Sequence, residues 1–202
     1  MTLAEHDAFL KATGQYDSML DHRRRQEEER QERVAALQQA LVPFFNDLRA
    51  KGYDIESVSA LIAEPFPTRA PIPEAIPILL DHLQRPYPTD AREVLARAVA
   101  VPEAKCGWDI LIRLYREAQE KRPKDALAVA LARAADDDVL DEVIALAKDP
   151  RHGSSRILLL HALECSASSL ARAALADLAD DPDLKKEVGL ILKRIGRKKR
   201  KS

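Results

Sequence analysis

Downstream of residue 72 the apolar positions of the chain recur in a fixed register. Leu83, Leu114, Leu146 and Leu178 are separated by 31, 32 and 32 residues, and three places before them stand Leu80, Leu111, Val143 and Leu175. A spacing of three is helical, so each pair marks one amphipathic helix. A second series lies between: Leu95, Leu131, Leu160 and Leu192, preceded by Val94, Ala130, Leu159 and Ile191 and followed three later by Ala98, Ala134, Leu163 and Ile195. Its separations of 36, 29 and 32 assign the length variation to loops rather than helices. Each unit of about 32 residues therefore reads as a helical hairpin. A lone hairpin cannot bury its apolar face, so stacking on neighbours is expected.

Upstream the pattern changes. Thr2-Leu3-Ala4-Glu5 fits a capping box for a short first helix that Gly14 would stop. A long second helix is expected over residues 17–50, ending at Gly52, yet residues 21–33 contain no apolar side chain. Those turns have nothing to bury and should stand in solvent or against a charged partner. Arg23, Arg24 and Arg25 precede Glu27, Glu28 and Glu29 at four-residue spacing, which supports an exposed helix. The stripe resumes with Val34, Leu37, Leu41, Phe44, Phe45 and Leu48, and Pro43 within it predicts a kink. Asp54 is placed to cap a third helix over residues 55–63, and Pro65, Pro67, Pro71 and Pro73 mark a connection. The expected organisation is an N-terminal helical extension over residues 1–66, repeats over residues 72–196 and a basic flexible tail over residues 197–202.

Composition supports an all-α chain. Ala at 32 and Leu at 27 dominate the 202 residues, whereas Thr at 4 and Val plus Ile at 21 leave few strand formers. Aromatics at 4% argue against a stacking platform for single-stranded nucleic acid and against an aromatic-lined cofactor pocket. The formal charge of −1 conceals a division: residues 193–201 hold seven Lys or Arg and no acid, so residues 1–192 carry −8. Acidic residues near Met1 and the shortness of the longest uncharged apolar run, residues 126–132, predict no targeting segment, no membrane span and a soluble, cytoplasmic protein. Cys106 and Cys165 read as reduced thiols, with Cys165 expected to be buried.

The last unit extends this reading. Its sequence Asp180-Asp181-Pro182-Asp183-Leu184-Lys185-Lys186-Glu187-Val188, followed by Leu192-Lys193-Arg194-Ile195-Gly196, resembles the turn and second helix of the HEAT-repeat (Armadillo-like) family. Asp149-Pro150-Arg151 is a looser copy, and the first two units match in hydrophobic register, with Arg85-Pro86-Tyr87-Pro88 and Lys121-Arg122-Pro123 in place of the acidic turn. The resemblance implies a right-handed α-α superhelix of about four HEAT-like hairpins with a long N-terminal helical extension. It further implies a concave face, lined by second helices, that grips a protein or a nucleic acid.

Residues just beyond each second-series Leu leave the core stripe and include many cations. Arg97, Arg133, His161, Lys193 and Arg194 lie there and Arg92 and Arg156 one turn earlier; these seven are the candidate partner-binding residues, while acids gather near first helices and turns. The leading expectation is a non-enzymatic binding or scaffold protein that takes a protein or peptide ligand on the concave face. A second reading is nucleic-acid binding through the basic ladder and tail, which the charge of −8 and the scarcity of aromatics oppose. A remote third is a relative of HEAT-like DNA glycosylases, for which Trp108-Asp109 is the sole Trp–acid pair. No nucleophile with its base, glycine-rich phosphate loop or calcium loop is legible, and Asp138 suits a helix N-cap beside Val139. His161 and Cys165, four apart, lack the further ligands of a zinc site, so no metal or cofactor is expected. A monomer is favoured; a homodimer through residues 17–50 is the alternative, although residues 21–33 lack a coiled-coil seam.

Overall fold

A computed structural model describes residue 2 and residues 12–55 and 75–199, and every described element is helical. The expected helices at the N-terminus and over residues 55–63, and the proline-rich connection, lie mainly or wholly outside these residues. The chain divides into two compact units, residues 1–42 and 43–202.

The first unit holds α1 (Tyr16–Ala40), in which no side chain is buried. Arg24 pairs with Asp21 at 3.0 Å and Arg30 with Glu27 at 2.6 Å, each base reaching three residues back. These pairs run opposite to the expected Arg-to-Glu order. Helical side chains lean toward the N-terminus, and an acid preceding its base also suits the helix dipole. The Arg30 hydrogen bond, then that from Gln31, holds the Glu27 carboxyl down at about 2. Pro43 produces a break instead of a kink: α1 ends at Ala40 and α2 (Val42–Ala50) begins two residues on, with Pro43 in its first turn, where a missing N–H leaves no bond unmade. Gly52 closes α2 at φ +86°, as the Gly52 N–H bonds Arg49 O at 2.9 Å and the Tyr53 N–H bonds Leu48 O at 3.1 Å. This is a Schellman cap, a positive-φ conformation that glycine adopts without strain.

In the second unit α2 buries Phe44, Phe45 and Leu48. Next come α3 (Ala75–Leu83), α4 (Thr89–Ala98), α5 (Trp108–Glu117), α6 (Lys121–Ala134), α7 (Leu140–Lys148), α8 (Arg156–Cys165), α9 (Ser169–Asp177) and α10 (Lys185–Lys199). Of these, α3, α5, α7 and α9 carry the first apolar series and α4, α6, α8 and α10 the second. Each first helix contacts its own second helix, and the second helices α4, α6, α8 and α10 contact one another in series. Leu95, Leu131 and Leu160 are wholly buried, so the second-series register is a core ladder in the first three units. Leu192 departs from it at 38% exposed, since no described helix follows α10 to cover it.

Small residues set the spacing between units. A Cβ built on Gly107 would stand 2.3 Å from Leu80 Cδ1, so an alanine there would require the Leu80 side chain to shift. His82, fully buried on α3, joins three segments: its Nε2 lies 2.9 Å from Asp47 Oδ2 of α2 and its Nδ1 lies 2.6 Å from the Tyr87 hydroxyl. The Asp47 carboxylate accepts, so the ring donates from Nε2. That hydrogen bond is the main cause holding the Asp47 carboxyl below its ordinary range.

A second buried imidazole responds to acid. The His152 ring lies 4.7 Å from Tyr115, its Nδ1 is buried with no hydrogen-bond partner among the described residues, and burial, then the Lys124 cation, pushes its pKa down. A histidine with a depressed folded pKa contributes stability that is full above its unfolded value of about 6.5 and is lost as pH falls through the folded value. The urea midpoint should therefore fall between pH 8 and pH 5. His152→Phe should flatten that dependence; an unchanged slope in the variant would assign the effect elsewhere.

Candidate functional site

The seven candidate cations occupy three kinds of environment. Arg92, half-buried at the start of α4, bonds Glu120, which also accepts from Thr89. Those contacts, Thr89 first, lower the Glu120 pKa. Arg97 is exposed but tied to Glu93 one turn back at 2.9 Å. Arg194 spans units, reaching Glu164 of α8 at 2.7 Å, and also meets Glu187 at 3.1 Å. Arg156 is the largest departure from expectation: it is 1% exposed. Its guanidinium bonds Asp181 at 2.8 Å, Asp183 at 3.0 Å and the Gly153 and Ala147 carbonyls. As the first residue of α8 it points into the gap between units instead of outward, so it holds the acidic turn of the last unit. Asp181 in turn accepts from the Asp183 and Leu184 N–H groups, starting the turn into α10. The Arg156 hydrogen bond is the chief cause lowering the Asp181 pKa.

Arg133, His161 and Lys193 remain as exposed positions on α6, α8 and α10. Neither Arg133 nor Lys193 meets a carboxylate among the described residues. His161 Nε2 lies 3.6 Å from Cys165 Sγ. Cys165 is exposed, contrary to expectation, because it is the final residue of α8 and lies past the buried stripe of Leu159, Leu160 and Leu163. It borders a cleft of about 430 Å³ lined also by Asp136, Asp137, Asp138, Leu140 and Ser166. The carboxylates there are already engaged: Lys105 bonds Asp136 and Asp138, and the Ser166 hydroxyl donates to Asp137 at 2.6 Å. Asp136, not Asp138, is the cap, accepting from the Asp138 N–H at 3.1 Å. Trp108 is buried with its Nε1 donating to Glu142 of the next unit at 3.2 Å. Among the described residues no three His, Cys, Asp or Glu side chains converge as metal ligands do, and no helix is long and apolar enough to cross a membrane.

Many of the polar contacts share one geometry that single-residue motifs did not reveal. Arg113 with Gln84, Arg122 with Asp90, Lys148 with Asp177, and Arg194 with Glu164 join residues 29 to 32 apart, one repeat away. Lys105 with Asp136 and Trp108 with Glu142, 31 and 34 apart, belong to the same set. Charge segregation along the sequence thus becomes pairing between units in space. The readable signal was a basic residue and an acid one period apart, in either order.

Compared with known proteins, the chain matches no family model, no curated sequence and no solved structure.

Proposed function

We propose that the second unit is a short HEAT-type solenoid that acts without catalysis, as a binding module for a protein or peptide, with its second helices forming the concave contact face. The observation supporting this reading most directly is positional. Arg97 and Arg133 stand two residues beyond the ladder Leu, His161 and Lys193 one beyond, and all four are exposed while the first three ladder leucines are fully buried. The exposed place shifts from two beyond the ladder Leu in the first two units, where Ala96 and Ala132 at one beyond are buried, to one beyond in the last two, so each second helix presents one basic side chain beside the core. The helix pairs, with their bonds one period apart, supply a stiff support for these side chains. Arg133, exposed and meeting no carboxylate among the described residues, favours an acidic segment as ligand, which would also compete with Glu93 for Arg97.

The test uses a defined acidic helical peptide and isothermal titration of the full chain at low salt, beside capture experiments with the tagged chain. Reversing Arg97 and Arg133 to Glu should weaken binding by roughly tenfold, the sum of two exposed ion pairs. The variant should retain the parent's circular dichroism and thermal midpoint. Undiminished binding would remove this face from the proposal.

A further inference from the structure

The geometry points to the solvent face of α10 as a docking surface for the phosphate backbone of duplex DNA. The helix runs to Lys199, beyond the expected start of a flexible tail at Arg197, because its last turn is cationic and suits the negative end of the helix dipole. Lys186, Leu190, Lys193 and Arg197 fall at intervals of four, three and four, on one side of the helix, and all four are exposed. Leu184, Val188 and Ile191 occupy the other side and are buried. None of the three cations meets a carboxylate among the described residues, in contrast to Arg194 beside them. The row spans about 16 Å at the helical rise. By sequence, Lys198, Lys199, Arg200 and Lys201 continue the charge.

Charge complementarity requires an anionic partner, and the helix itself narrows the class. Leu184, Val188 and Ile191 are taken up by its own unit, and the helix leaves two leucines exposed, Leu190 and Leu192, too few for the broad apolar face that inserts into a lipid interface. It carries no aromatic residue, which disfavours single strands bound by base stacking. A helix about 10–12 Å wide enters the major groove of B-form DNA, roughly 12 Å across, whereas A-form RNA presents a deep, narrow one. Neither Asn nor Gln lies on α10, so binding follows the backbone without reading adenine. Acids more than about 8 Å from the row are largely screened at physiological salt, and Glu187, the one acid on α10, is engaged by Arg194 at 3.1 Å.

The full chain should raise the fluorescence anisotropy of a labelled 20-base-pair DNA at 50 mM salt. Changing Lys186, Lys193 and Arg197 together to Gln should weaken binding at least tenfold and reduce the slope of log affinity against log salt by about 2.7, three phosphates at about 0.9 each. Leu190→Lys, which adds a cation to the same row, should tighten binding and gives a readout that misfolding cannot imitate. Arg97→Glu with Arg133→Glu should leave DNA binding intact, separating this surface from the peptide face. No anisotropy change at 50 mM salt, wild-type affinity in the triple variant, or equal affinity for duplex RNA or anionic vesicles would overturn the inference.

Discussion

Arg156→Ala should destabilise the second unit by about 2–4 kcal/mol, a thermal midpoint roughly 5–15 °C lower. The side chain is 1% exposed and its guanidinium serves two carboxylates and two backbone carbonyls. Truncation opens a void between α8 and the turn before α10, and it leaves the buried Ala147 carbonyl contact unmade. Asp181 and Asp183 keep some access to water, with side chains 22% and 64% exposed, which limits the cost to less than that of a wholly buried ion pair. Arg156→Met, which restores most of the volume, should recover about half the loss. The pair also sets an acid limb. The Asp181 pKa is lowered chiefly by Arg156, so its contribution is present above the unfolded carboxylate value of about 4 and is lost as pH falls through the folded value. Chemical denaturation between pH 5 and pH 2 should lose that limb in Arg156→Met and in Asp181→Asn, and the two changes should be non-additive. Additivity would show that the residues do not act together.

Arg156 also explains why the candidate surface was only partly legible. Sequence register places a residue on a helix face, but it does not reveal how far a neighbouring turn extends over that face. Arg92 and Arg194 look alike as cations within a turn of a ladder residue, yet each is tied across a unit boundary, to Glu120 and to Glu164. Period alone, applied to charges as well as leucines, would have found Arg194–Glu164 and Arg122–Asp90, because each acid lies 30 or 32 residues from its base. It would not have found His82, whose partners Asp47 and Tyr87 stand 35 and 5 residues away and belong to no repeat. The helices themselves were more legible because burial recurs with both periods, that of the helix and that of the unit, and each confirms the other. Boundaries were less so: Pro43 was visible, but whether it bends a helix or starts one depends on packing, and Phe44, Phe45 and Leu48 give α2 its own core.

Leu131→Ala and Leu192→Ala occupy the same register position and should differ sharply in cost. Leu131 is fully buried on α6, where α4, α5 and α8 all pack against that helix. Its truncation removes three carbons from a site enclosed by other helices, and the surroundings can close only part of the gap. A loss of about 3–4 kcal/mol follows, roughly 6–16 °C in thermal midpoint. Leu192 is 38% exposed on α10, and its truncation should change stability by less than about 0.5 kcal/mol. Urea unfolding monitored by circular dichroism distinguishes the two without ambiguity. If stacking of units, and not the intrinsic helix preference of each segment, buries the ladder, the cost must depend on whether a further helix covers the position. Alanine is the better helix former in both places, so propensity predicts a small gain at either site. Equal losses at the two positions would mean that Leu192 is covered in solution, by a second copy of the chain or by a bound partner; dilution of the sample would then lower the midpoint of the parent protein.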